Sequence, residues 1–139
     1  MTKIYTYILT IFFIFTSASF AYINMMIGSK GNLSEVVNAG NLVHEFNIAN
    51  AMMHKKHQPE MEKMVENEIL LADSIDREKM KKMAKMDKAM GHSHSNSVLL
   101  APNEKGDLVW KFDNAMNIEI ACNVPGHYQI GMVANVDLK

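Results

Sequence analysis

Close to its C-terminus the chain reads Cys122-Asn123-Val124-Pro125-Gly126-His127-Tyr128-Gln129-Ile130-Gly131-Met132, which places a thiol, an imidazole and a thioether at equal spacings in one short stretch. Apolar segments of strand length, 118–122 and 132–138, flank it, and Pro125-Gly126 is a dipeptide that turns a backbone sharply. Side chains alternate along a strand, so Ile118, Ile120 and Cys122 share one face and Cys122 points to the core side. One loop between two strands can therefore supply three ligands.

Strand texture recurs elsewhere. Residues 36–37 and 43–49 flank the turn formers Asn38-Ala39-Gly40-Asn41, and 97–101 and 108–112 are further strand-length runs. Leu108, Trp110 and Phe112 fall on one face by the two-residue period. Residues 22–35, with Gly28, Gly31 and Asn32, are weakly patterned and predict an irregular start. The text between the strands is different. From 51 to 90 it is charged and Met-rich, with no Gly and only Pro59, which predicts helices. Pro59 is suited to a first helical turn, followed by Glu60 and Glu62. A second helix is expected to start near Ser74, with Met80, Met83, Met86 and Met90 on one stripe and the charges of 79–88 on a solvated face. Many short strands with one helical excursion predict a mainly β fold, an antiparallel sandwich or barrel carrying a helical Met/His-rich insertion over 51–96.

With 139 residues the chain has room for one domain, and a net charge of −1 offers no basic excess for a phosphate backbone. Nucleic acid is excluded as an expected partner. Lys3, the apolar run 8–15 and the small residues Ser19 and Ala21 predict a secretory leader over 1–21, too short in its apolar part to span a bilayer, and a mature domain over 22–139. Export places the protein in an oxidising compartment, where the single Cys has no intrachain partner. Cys-only zinc or iron–sulfur sites are excluded for the same reason.

A lone thiol in an exported chain is either buried or held by a metal. Thirteen Met and six His accompany it, and soft thioethers with imidazoles point to copper. Two His and one Cys in a trigonal set, with a long axial Met, is the geometry of blue copper. The loop lacks one imidazole of that set, and His44, in Val43-His44-Glu45-Phe46, is the candidate.

The Cys-x2-Pro-Gly-His-x4-Met loop, the upstream His-Glu-Phe, and Ala101-Pro102 followed by Leu108-Val109-Trp110-Lys111-Phe112 resemble the cupredoxins, and most closely the small periplasmic copper-resistance proteins with a plastocyanin-like fold. The likeness covers roughly 36–49 and 97–138. It implies a Greek-key β-sandwich, a single mononuclear type 1 copper site with His44, Cys122 and His127 as equatorial ligands and Met132 axial, and no open position for a substrate. It also implies a non-enzymatic role in copper tolerance, with one-electron chemistry and a periplasmic redox or copper-transfer protein as partner. A dedicated electron carrier using the same site is the alternative. A binuclear centre would need a second Cys in the loop, where Gly126 stands. Related domains carry a longer β-rich region before His-Glu-Phe, so the resemblance implies that N-terminal edge strands are missing or rebuilt here. Met52, Met53, His54, His57, Met61, Met64, His92 and His94 are left open between auxiliary copper binding and packing.

Overall fold

The computed structural model describes the backbone of residues 8–12, 21–28, 31–110 and 117–136, and the side chains of 35–110 and 117–136. In chain order the strands are β1 (Ile8–Phe12), β2 (Ala21–Gly28), β3 (Gly31–Asn38), β4 (His44–Ala49), β5 (Ser97–Leu100), β6 (Lys105–Trp110), β7 (Ile118–Ala121) and β8 (Val133–Val136). Helices α1 (Ala51–Glu66) and α2 (Arg77–Ala84) and a short 3-10 turn (Lys88–Gly91) lie between β4 and β5. Two antiparallel sheets result, ordered β1-β2-β3-β6 and β5-β4-β7-β8. The fold is mainly β, a sandwich with a helical insertion.

The main core lies between the sheets. Val36 and Leu108 from the first meet Phe46, Ile48, Leu100, Ile118 and Ile120 from the second, with Trp110 packed at the edge. Every residue of β4 is buried, because its other face, with Glu45 and Asn47, is covered too. Val43 and Leu99 join Met61, Met64, Ile69, Leu70, Met80 and Met90 in a second apolar cluster beneath the insertion. The insertion thus roofs the outer face of the second sheet.

Three local expectations fail. The described residues of 22–35, which are 22–28 and 31–35, are paired strand, since β2 pairs with β1 and β3 and β3 also pairs with β6; pairing on both sides supplies the order that local patterning lacks. Helix α1 starts at Ala51, where the Asn50 side chain accepts from the Met53 amide at 2.9 Å, so Pro59 lies inside the helix and not at its beginning. The second helix begins at Arg77, capped by Asp76, and ends at Ala84. Met86 therefore drops out of helical phase and is 78% exposed, whereas Met80 and Met90 are buried. Phe112 and residues 137–138, read as strand, lie outside the described residues, as do 1–7 and 13–20 of the stretch read as a leader. No helix among the described residues is long and apolar enough to cross a membrane.

Met61 is fully buried in the insertion core, so Met61→Ala is expected to cost about 2–5 kcal/mol of unfolding free energy. Met86→Ala should change it by less than about 0.5 kcal/mol. Urea unfolding of both variants checks this, and equal losses would contradict the division of the Met residues.

Candidate metal centre

The β7–β8 connection folds by its own rules. Pro125 precedes Gly126, whose φ is 89°, and the His127 amide donates to the Val124 carbonyl at 2.9 Å. That is a type II turn, in which the third residue needs a positive φ and Gly supplies it without strain. The loop is closed at its base by Cys122 N–H donating to the Met132 carbonyl and Met132 N–H donating to the His127 carbonyl, both at 3.0 Å. Cys122 and Met132 are buried, and His127 is half-buried.

His44 opens β4 on the same face as Phe46 and Ile48. The preceding bend is held by the buried Asn38, whose side chain donates to the Leu42 and Leu100 carbonyls and accepts from the Gly40 amide. A Cβ on Gly40 would stand 3.3 Å from Asn38 Oδ1 and 3.4 Å from His44 Nε2, so a larger residue there would press on the Asn38 side chain that orders the bend. The sulfur of Cys122 lies 3.9 Å from His44 Nδ1 and 3.3 Å from His127 Nδ1. Ligand atoms of all three residues fall within 4.8 Å of one another.

These separations suit a metal ion. With bonds of roughly 2.3 Å to sulfur and 2.0 Å to nitrogen, a tetrahedral angle separates the two donor atoms by about 3.5 Å. The two sulfur–nitrogen distances, 3.9 and 3.3 Å, bracket that value. Met132 belongs to the same pocket, lining with His44 and Cys122 an apolar cavity of about 30 Å³ that extends toward Phe46, Leu100 and Ile120. A sulfur, two imidazoles and a neighbouring thioether form a donor set suited to copper.

The protonation states follow from burial. Desolvation and then the neighbouring His127 push the His44 pKa down to about 4, and desolvation lowers that of His127. Both rings are neutral at pH 7, with lone pairs available. Desolvation pushes the Cys122 thiol up to about 12, against amide hydrogen bonds from Glu45 and Val124 that favour the thiolate. The Glu45 amide donates to the sulfur at 3.3 Å. A metal must therefore displace the thiol proton.

All four residues singled out from the sequence are thus gathered at one end of the sandwich. Sequence patterning does not point to the polar residues that brace them. Asn38 orders the bend before His44. Glu45, next in sequence to His44, donates to the sulfur through its backbone and accepts from the Asn123 amide and side chain at 3.2 and 2.7 Å. The signal was a polar residue on each side of a half-buried pattern, which local periodicity assigns to solvent.

In the metal-free protein, His44, His127 and His94, all held below the ordinary histidine pKa, bind their proton later than the unfolded chain does. Stability from these groups is present above pH 6.5 and is lost as pH falls toward 4, only partly offset by His57, whose pKa is raised. The urea midpoint of the apoprotein should fall between pH 7 and pH 4.5, and less steeply in His44→Gln; a flat profile would mean that the rings are open to water.

No family model matches the chain, and no solved structure matches it. The chain is 43% identical over 108 residues, covering 73% of itself and 60% of the relative, to the copper-resistant cuproprotein CopI of Pseudomonas aeruginosa. It is 29% identical over 103 residues to the protein of the same name from Vibrio cholerae, and 29% over 102 residues to that from Rubrivivax gelatinosus. Those matches cover 47% and 48% of the two relatives, so the chain spans about half to three-fifths of the length of the curated relatives it matches.

Proposed function

We propose that this domain binds copper at one mononuclear type 1 centre and serves copper tolerance in the periplasm, sequestering or handing over the ion with one-electron redox chemistry. The convergence of His44 Nδ1 and His127 Nδ1 on the Cys122 sulfur carries the reading. Its similarity to proteins named for copper resistance supports the same role.

His44, Cys122 and His127, with Met132 beside them, would hold the ion, and the ion would supply a reversible one-electron couple. The chain's own contribution is to hold these donors still. Strand β4, the Pro125-Gly126 turn and the paired amides at the loop base fix the rings and the sulfur before the ion arrives, so either oxidation state meets nearly the same geometry. The Glu45 and Val124 amides withdraw charge from the sulfur, and the apolar wall of Phe46, Leu100 and Ile120 keeps water from its inner side. With four donors assigned, no position is left for substrate, which favours binding and electron transfer over catalysis.

Export fits the leader reading of residues 1–21. Cleavage after Ala21 would remove β1 and leave β2 as the edge of a three-stranded sheet, with every residue of the centre retained. His127, the ligand nearest solvent, also suits a dedicated electron carrier, in which the half-buried ring is the point of electron exit to a redox protein. Fast exchange with a cytochrome at a single copper per chain would favour that alternative.

Adding Cu(II) to the purified protein should produce an intense sulfur-to-copper charge-transfer absorption, abolished by Cys122→Ser. Met132→Leu should keep the colour and shift the reduction potential, measured by redox titration. A protein that stays colourless with Cu(II), or a Met132→Leu variant that no longer binds, would contradict the assignments.

A further inference from the structure

The insertion brings together a second group of donors that the Cys122 centre does not use. His57 comes from the middle of α1, and His92 and His94 come from the segment after the 3-10 turn. One ligand atom from each lies within 4.8 Å of the others, and the three ring centroids are 4.9–5.3 Å apart. Two carboxylates reach the same place. Glu45 Oε1 lies 2.8 Å from His57 Nε2 and 2.7 Å from His92 Nε2, and Glu60 Oε2 lies 2.9 Å from His57 Nδ1 and 3.5 Å from His94 Nε2.

We propose that His57, His92 and His94, with the carboxylates of Glu45 and Glu60 at their edges, form a second metal site for a divalent cation, Cu(II) foremost. A satisfied polar core does not account for the arrangement. His94 Nε2 is shut off from solvent and, with Glu60 Oε2 3.5 Å away, makes no hydrogen bond, so a buried polar atom is left unsatisfied. His92 holds a left-handed backbone, φ 45°, where a non-Gly residue is uncommon, and its ring is nonetheless almost wholly buried against Glu45. Three imidazoles, two pairs of them T-shaped and the third tilted, gathered beside two acids are what a cation would organise, with the ion replacing the protons that now bridge nitrogen and oxygen.

Access and chemistry agree. An open cleft of about 230 Å³, lined by Met53, Lys56, His57, Glu60, His94 and Asn96, leads to the cluster, and His94 keeps 32% of its side chain in solvent. Imidazole and carboxylate without thiolate suit divalent ions, and among the first-row divalent metals Cu(II) binds such sites most tightly. The Cys122 centre offers two sulfurs and suits Cu(I) as well. The two clusters lie on opposite faces of β4 and share Glu45, whose carboxylate borders one and whose amide donates to the sulfur of the other.

The site is tested where the first centre cannot contribute. In full-length mature protein carrying Cys122→Ala and His127→Ala, titration with Cu(II) should show one bound equivalent, with an electron paramagnetic resonance signal lacking thiolate character and hyperfine coupling to several imidazole nitrogens. Adding His94→Ala, at a partly exposed position, should weaken binding at least tenfold and remove one nitrogen coupling while far-ultraviolet circular dichroism stays unchanged. His57→Gln should weaken it similarly. No bound Cu(II), or binding that both substitutions leave unchanged, would overturn the proposal. Failure here leaves the thiolate centre untouched, since its charge-transfer band is read in the unaltered chain.

Discussion

The alternation of side chains along β4 is the constraint from which both clusters follow. His44, Phe46 and Ile48 face the other sheet, while Glu45 and Asn47 face the insertion, and all are buried. A one-residue slip would exchange these faces. It would put the imidazole of His44 under α1 and the carboxylate of Glu45 into an apolar core beside Cys122. The register is held from both sides, by β5 pairing His44 with Leu100 and by β7 pairing Asn47 with Ala121. The loop that carries Cys122, His127 and Met132 hangs from the end of that same β7, so its distance to His44 is set by sheet register and not by loop conformation alone.

Glu45 is the costly residue of this plan. A carboxylate out of water carries a penalty of several kcal/mol unless its lone pairs are filled. Here Oε1 receives His57, His92 and Asn47, and Oε2 receives the amide and side chain of Asn123. Burial works to raise its pKa, yet these donors and the two imidazoles hold it well below the usual carboxylate range. The same residue acts on Cys122 in opposite senses: its amide stabilises a thiolate, and its negative charge disfavours one. A positive ion at either cluster relieves the second effect without disturbing the first. Such a paired, buried charge is better explained as a device for specifying position than as a source of net stability.

The layered plan was legible in the sequence because period-two patterning survives wherever one face of a strand is apolar. Leu108 and Trp110, and Ile118, Ile120 and Cys122, all read correctly. The loop was legible because its Pro-Gly turn and its donor spacing are local. What local reading missed has one cause, namely neighbours distant in the chain. Residues 22–28 and 31–35 are strand because β1, β3 and β6 supply pairing partners, and α1 extends through Pro59 because His54, Met61 and Met64 anchor it against the sheet and the insertion core. Glu45 and Asn123 sit beside ligand residues in sequence, but nothing local says that the insertion folds over them. The meeting of His57 with His92 and His94 depends on how α1 and the 3-10 turn fold back on each other across the intervening chain.

Burial divides the Met/His residues of the insertion by depth. Met61 and Met64 are entirely enclosed by Val43, Ile69, Leu70 and Leu99, where an unbranched thioether fills an irregular gap, so their role is packing. His54 is also enclosed; Asn123 donates to its Nδ1 at 3.1 Å and its Nε2 faces the Glu119 carbonyl at 3.5 Å, so both nitrogens are engaged by the chain. That ring links the Asn123 side chain to β7, which steadies the residue next to Cys122. Met52 and Met53 are exposed on the first turn of α1, and Met53 borders the cleft that leads to His57 and His94. A helical stripe of soft side chains is thus split by depth. Its inner members build the roof over β4, and Met53 on its outer side leaves thioether sulfur in water beside His57 and His94, where no packing demand explains it.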